Sequence, residues 1–345
     1  MTIISTKGDL LKQQDVDAIV NTVNCVGVMG KGIALQFKKK WPENFKAYAA
    51  ACKQGDVKLG QMFTFELGAL ATPRYIINFP TKSHWRSASK LEDIESGLKS
   101  LVDNIKNKNI KSIAIPPLGS GLGGLPWVEV KKLIFAYLEP IGDLEVRLFE
   151  PNDSIKATQL DINTPKPKMT AGRAAILALL ETYRSVNFGL SKIEVQKLAY
   201  FLQEAGENMK LQFQKDAYGP YADALRHALN TMDGHYIQGV GDGVVESEIR
   251  PIESALEDAR LFLESSNESI NFRIQRVAEL IDGYQSPYGV ELLSTVHWVN
   301  KNEGASNPKE ALKAIQKWND RKKVLMTQLH IEAAWNRLER TGWIH

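Results

Sequence analysis

Hydrophobic positions fall into two regimes along the chain. Over the first 150 residues, short apolar runs (TIIST, AIVNTVN, MFTFEL, RYIINFP, SIAIPPLG, EVRLFE) alternate with stretches of helical periodicity such as GIALQFKKKW, LEDIESGLKSLVDNI and WVEVKKLIFAYL. This alternation predicts an α/β layered domain. Ser89 with Glu92 has the spacing of a capping box, and Pro126 suits a first helical position after a glycine loop. The following stretch, NDSIKATQLDINTPKPKM, is polar, holds Pro165 and Pro167 and has no period. It predicts a linker over residues 153–169.

From residue 170 the pattern changes to helices alone. LSKIEVQKLAYFLQEAGE opens on a Ser191 and Glu194 capping box and puts Ile193, Leu198, Phe201, Leu202 and Ala205 at mostly helical spacing. YADALRHALNTMDG ends on Gly234, a candidate C-cap, and further helices are expected over 253–264, 272–283, 288–300, 308–318 and 327–341. Two domains, 1–152 and 170–345, suit a chain of 345 residues, because single cores stop growing near about 250–300 residues.

Composition narrows the class. With 43% hydrophobic and 24% charged residues the chain is of ordinary globular type. The start, MTIISTKGDLL, lacks the apolar segment of a signal peptide, and no apolar run is long enough for a bilayer, so a cytoplasmic protein without membrane contact is expected. Cys25 and Cys52 are expected to be free thiols, and no His, Cys and acidic cluster has metal spacing, so no metal and no cofactor are expected. A net charge of +3 is too small to argue for non-specific nucleic-acid binding. Its distribution is uneven: residues 1–155 carry +4 and residues 170–345 carry −3, with seven acids against two arginines in GDGVVESEIRPIESALEDARLFLE, 241–264. Such a run reads first as a solvated surface.

Three glycine-bearing loops follow expected strands: Gly8 with Asp9, then NCVGVMGKGIA (24–34), then PPLGSGLGGLPW (116–127). In open α/β sheets ligands bind beyond the carboxyl ends of strands, and backbone without side chains lets N–H groups approach a phosphate. One such loop is equally a tight turn; two in one domain fit a diphosphate. Neither has P-loop or dinucleotide-fold spacing, which weakens kinase and dehydrogenase readings.

STKGDLLKQQDVDAIVNTVNCVGVMGKGIALQFKKKWP, NFPTK and PPLGSGLGGLPW together resemble a macrodomain, the ADP-ribose-recognising fold. Within that fold they are most similar to the branch that holds the DarG-type DNA ADP-ribosyl glycohydrolase antitoxins and a vertebrate glycohydrolase acting on acidic side chains. The resemblance covers about residues 1–150. It implies a mixed sheet between helices and an ADP-ribose site built from Gly8, Asp9, Leu10, Asn24, Gly30, Lys31, Gly32, Thr81, Gly119, Ser120, Gly121, Leu122 and Gly123. In it Asp9 accepts from the adenine amine, Asn24 and Gly30 to Gly32 lie at the distal ribose and phosphate, and Gly119 to Gly124 wrap the diphosphate. Read from the residues alone, Asp9 is equally a helix cap, Asn24 a turn former and Lys31 a solvated loop charge.

The resemblance also implies that Lys82 is catalytic. A lysine at a cleft attacks an anomeric carbon once it has lost its proton, or, kept charged, stabilises developing negative charge; the sequence does not choose. His84, Trp85 and Arg86 follow where the attached base would lie. His84 could transfer a proton and Trp85 could stack, or the segment is an ordinary loop. The vertebrate relative carries an aspartate where this chain has Gly123. An imide nitrogen of thymine departs as a delocalised anion and has less need of that acid, which favours a DNA base as substrate.

KIEVQKLAYFLQEAG and YGPYADALRHAL are similar to the helical Panacea type of antitoxin domain, with Tyr218 to Tyr221 turning one helix into the next. The implied protein is an antitoxin. Its first domain would remove ADP-ribose from thymidine in single-stranded DNA, and residues 170–345 would bind and inhibit a DarT-type toxin. The acids from Asp242 to Glu264 would stand where DNA phosphates would. The alternatives are a non-catalytic ADP-ribose reader, which needs no lysine nucleophile, and a DNA-binding regulator, against which the weak charge argues.

Overall fold

The computed structural model describes residues 2–151, 161–184, 189–244, 246–266 and 268–344. It divides into two compact units, one of Met1–Thr164 with Gly241–Val245, the other of Pro165–Val240 with Glu246–His345. Of the segment expected as a linker, residues 153–160 lie outside the described residues.

The first unit is a six-stranded sheet between helices. In chain order come β1 (Thr2–Thr6), β2 (Ala18–Asn24), α1 (Gly32–Lys40), α2 (Pro42–Gln54), β3 (Phe63–Glu66), β4 (Tyr75–Lys82), α3 (Leu91–Asn107), β5 (Ser112–Ile115), α4 (Trp127–Leu138) and β6 (Glu145–Phe149). The spatial order is β1-β6-β5-β2-β4-β3, parallel except for β3 on β4. The sheet is therefore mixed, as expected.

Strand alternation explains the layers. Ala18, Val20, Ile77, Phe79, Ile113 and Ile115 point to one face and pack with Ile94, Leu98 and Leu101 of α3 and Val130 and Ile134 of α4. Ile19, Ile76 and Ala114 point to the other, where Leu10, Leu11 and Phe37 of α1 cover them. Both faces of β2, β4 and β5 are thus buried, which is why these strands read as continuous apolar runs. Gly97 of α3 has no room for a side chain, since a Cβ there would come 2.2 Å from the Phe79 ring.

The second unit holds α5 (Ala171–Arg184), α6 (Lys192–Glu204), α7 (Asp223–Met232), α8 (Glu253–Glu264), α9 (Glu268–Ile281), α10 (Pro287–Glu303), α11 (Pro308–Gln316), α12 (Asp320–Leu325) and α13 (Gln328–Arg340) around one apolar core. Its polar interior is specific. Glu291 of α10 accepts from both Arg321 nitrogens and from Lys322 Nζ, which is fully buried and also donates to Thr295 Oγ1 at 3.1 Å. The Ser191 and Glu194 capping box forms, and α8 spans the expected residues.

Several expectations are corrected. α3 is capped at Lys90 and has no side-chain cap, so Ser89 and Glu92 make no capping box; Ser89 instead gives its N–H to Gly123 O at 3.0 Å. Pro126 precedes α4 as its N-cap. α5 and α12 were not anticipated. The second unit is not purely helical: β7 (Gln214–Asp216) pairs with β8 (Gly219–Tyr221), and β9 (Ile237–Gln238) with β10 (Arg250–Pro251). The YGPY segment accordingly forms a hairpin arm, because Gly219 at φ +94° is incompatible with helix. Among the described residues no helix is long and apolar enough to cross a membrane.

His297 of α10 is buried against Tyr200, whose hydroxyl lies 2.7 Å from Nδ1. Burial, helped by Lys301, holds its pKa down to about 4. The folded state thus resists a proton that the unfolded chain takes up near pH 6.5, so stability falls as pH drops from about 6.5 towards 4. In urea titrations of the whole chain the loss should approach about 3 kcal/mol, and His297→Gln should flatten that slope.

Candidate functional site

The site begins with a proline. In the register of β2 on β4, Val23 faces Pro80 but Asn24 faces Lys82, so Thr81 is an extra residue on β4. Pro80 has no N–H to give to a neighbouring strand, and a bulge is where a sheet tolerates that loss. Thr81 Oγ1, buried, donates to Val23 O at 3.4 Å across the break. The bulge sets Lys82 at the carboxyl end of the sheet beside Asn24.

Lys82 is half-buried and its Nζ donates to Leu122 O at 3.0 Å. Burial lowers its pKa from the ordinary lysine value. The carbonyl belongs to the β5–α4 loop, which turns through Gly119 (φ +65°) and Gly124 (φ +78°). Ser120, Gly124 and Leu125 spend their N–H groups within the loop, on Pro117, Gly121 and Gly119. Among the described residues, the N–H groups of Gly121, Leu122 and Gly123 donate to no protein acceptor. A concave run of such amides is an anion-binding geometry.

Gly123 is required sterically. A Cβ there would come 2.3 Å from both Gly119 O and Ser89 Oγ. A carboxylate side chain at this position therefore has no room here.

Asn24, buried at the end of β2, organises the loop that follows. Its Oδ1 accepts from Val26 N (3.0 Å) and Val28 N (3.3 Å), its Nδ2 donates to Val28 O (2.6 Å), and its carbonyl takes the Tyr48 hydroxyl at 2.5 Å. Its side chain thus shapes the turn into Gly30, Lys31 and Gly32. Lys31 is the exposed N-cap residue of α1, and Gly32 (φ +59°) opens the helix. A Cβ on Gly32 would lie 3.4 Å from Leu122 Cδ1, so the two glycine loops meet there.

Asp9 and Leu10 lie at the far end of α1. Asp9 caps the short 3-10 turn Leu10–Lys12, its Oδ1 accepting from Leu11 N at 2.8 Å, and burial raises its pKa. Leu10 and Leu11 share a buried apolar cluster with Phe37 of α1, and Gly8 precedes them at φ +103°.

His84, Trp85 and Arg86 form their own stack. His84 lies on Trp85 with centroids 5.4 Å apart, and the Arg86 guanidinium sits 4.5 Å from the Trp85 ring centroid. Arg86 N also donates to His84 Nδ1 at 3.2 Å, so that nitrogen is an acceptor. Trp85 remains 46% exposed, leaving ring area for a partner.

Sequence reading missed three contributors. Ser89 packs under Gly123, the Leu122 carbonyl holds Lys82, and Asp242, expected on a solvated acidic surface, is buried in the first unit. The proline within the NFPTK strand was the available signal for the bulge. Nothing local marked Asp242. Among the described residues no group of three His, Cys, Asp or Glu is placed to hold a metal.

The Macro domain family matches residues 20–134. The chain is 46% identical over 336 residues to the DNA ADP-ribosyl glycohydrolase of Thermus aquaticus, spanning 97% of this chain and 92% of that one. It is 40% identical over 350 residues to the DNA ADP-ribosyl glycohydrolase of Mycobacterium tuberculosis, spanning 97% and 98%. A Thermosipho africanus DNA ADP-ribosyl transferase-DNA ADP-ribosyl glycohydrolase fusion protein is 36% identical over 145 residues, 38% of this chain and 37% of that one. Among solved structures, the macrodomain of Mycobacterium tuberculosis DarG is 50% identical over 44% of this chain and 99% of that one, with a TM-score of 0.43. With its mixed sheet between helices and a relative this similar along nearly its whole length, the chain belongs to the DNA ADP-ribosyl glycohydrolase family, its first unit a macrodomain.

Proposed function

We propose that the first unit hydrolyses the N-glycosidic bond between ADP-ribose and thymidine in single-stranded DNA, with Lys82 as the catalytic residue. The observation that carries this is the placement of the Lys82 amine, turned by the bulge to the end of the sheet and held on the Leu122 carbonyl among the glycine loops. The amides of Gly121, Leu122 and Gly123 would hold the diphosphate, Asp9 and Leu10 the adenine end, and the turn from Asn24 to Gly32 the distal ribose. The exposed face of Trp85 would stack on a base of the strand.

In the reaction the bond from the anomeric carbon to the thymine imide nitrogen breaks, and its electron pair leaves with the base, delocalised over two carbonyls. Lowered basicity of Lys82 favours the neutral amine as nucleophile, whose nitrogen bonds that carbon as the base departs; the proton shed by the new adduct neutralises the base anion, and water then takes the amine's place at the carbon and returns Lys82. No carboxylate is needed at the loop, and Gly123 leaves none there. By the names of the relatives, DNA ADP-ribosyl glycohydrolase is the activity of this family.

We further propose that residues 170–345 bind and inhibit a DarT-type toxin. The fusion relative, named as a transferase joined to a glycohydrolase, supports such a pairing. Glu253, Glu257, Asp258 and Glu264 of α8 are exposed and offer the acidic face. Asp242 takes no part in it.

Lys82→Ala should abolish release of ADP-ribose from a modified thymidine oligonucleotide while calorimetry still shows ADP-ribose binding; unchanged turnover would remove Lys82 from the chemistry. Gly123→Asp should not add an acid but disturb the loop, weakening ADP-ribose binding by about tenfold or more, since removing the 2.3 Å clashes requires backbone movement. Reversing Glu253 and Glu257 to Lys should weaken toxin binding by roughly tenfold or more in a pull-down titration, with turnover on modified DNA unchanged.

A further inference from the structure

A short segment distant in sequence folds with the first unit: residues 241–244 lie along α1. Gly241 O accepts from Lys39 Nζ at 3.1 Å, Asp242 O accepts from Gly32 N at 2.9 Å, and Asp242 Oδ2 accepts from Gln36 Nε2 at 2.6 Å. Positions 32, 36 and 39 share one face of a helix, so the segment runs along a single side of α1 up to its first turn. Asp242 Oδ1 takes Val244 N at 2.9 Å and closes the segment on itself. Gly243, at φ +83°, packs so closely on Lys31 that a Cβ would come 3.2 Å from Lys31 Cγ. Beyond it, Val244 Cγ2 lies 3.7 Å from the place of a Cβ on Gly32, next to Leu122 Cδ1 at 3.4 Å.

These contacts converge on the turn that the proposed function assigns to the distal ribose. A first-turn N–H of a helix is an orphan donor that an anion often takes. Here the Gly32 N–H is satisfied by a backbone carbonyl of the strap and is not offered to an anion, whereas the Gly121–Gly123 amides remain available to the diphosphate. The role of Gly32 is then steric: its bare Cα lets Leu122 approach from one side and Val244 from another. Leu122 in turn carries Lys82 on its carbonyl. A continuous chain of contacts thus runs from Asp242 through Gly32 and Leu122 to the catalytic amine.

We propose that Gly241–Val244 is a strap that sets the ribose-binding turn of the ADP-ribose site, with Asp242 as its positioning residue and Val244 as part of the wall beside Leu122. The proposal rests on the function assigned above. A strap of this kind favours the bound geometry before ligand arrives, so its loss is felt in binding more than in the chemical step.

The test uses the full chain with three substitutions, Asp242→Ala, Asp242→Asn and Val244→Ser. Free ADP-ribose is titrated by calorimetry, and an ADP-ribosylated thymidine oligonucleotide supplies KM and kcat. Asp242→Ala removes a charge-assisted bond and should weaken ADP-ribose and raise KM by about five- to twentyfold, with kcat within about threefold. Asp242→Asn keeps an oxygen acceptor for Gln36 and should recover most of the loss. Val244→Ser, at an exposed position, should weaken ADP-ribose by about two- to fivefold. Unchanged or tighter ADP-ribose binding in both Asp242→Ala and Val244→Ser overturns the proposal, as does a loss in Asp242→Ala that Asp242→Asn leaves unrestored. If Asp242→Ala does not fold, Val244→Ser decides alone. A wild-type chain that binds no ADP-ribose overturns the functional reading and the strap with it, whereas wild-type binding with unaffected variants overturns the strap only.

Discussion

A missing N–H at Pro80 is the constraint on which the site depends. Two parallel strands buried on both faces have no tolerance for an unpaired backbone group except at a bulge, and the bulge falls at the end of β4. One extra residue there faces Lys82 towards Asn24 and the glycine loops instead of continuing the ladder. Asn24, at the matching point of β2, spends its side chain on the turn that follows. Both strand ends are therefore specialised, one to aim an amine and the other to shape a loop, and the rigid sheet beneath sets their separation.

The β5–α4 loop shows how absence of side chains becomes chemistry. Gly119 and Gly124 provide the left-handed turns, and Gly123 is too close to Gly119 O and Ser89 Oγ for any Cβ. The same packing that exposes the loop amides excludes a carboxylate from it.

The second unit spends its polar interior differently. Glu291 and Lys322 form a buried ion pair that Arg321 joins from a partly exposed position, and removing one partner of a buried pair typically costs about 3–5 kcal/mol. Lys197, buried nearby with its amine on Pro220 O, has a pKa lowered to about 7 by burial and by Lys322. These groups tie α6, the YGPY hairpin, α10 and α12 to one another.

Periodicity and glycine placement by themselves determined the layered domain, the change to helices, the Ser191 capping box and the span of α8, because each depends on neighbours within a few residues. Asp9, Asn24, Lys82 and the glycine loops were picked out as candidates through the macrodomain resemblance, whose motifs are contiguous in sequence. Tertiary structure alone decided the rest. Ser89 gave up its capping role to contact Gly123, the YGPY segment became a strand through pairing with Gln214–Asp216, and Asp242 left its acidic run to sit on α1 some two hundred residues earlier. The Ser89 and Asp242 outcomes depend on partners far along the chain, about which local pattern holds no information, whereas the YGPY pairing is a local hairpin whose strand character only its packing decided.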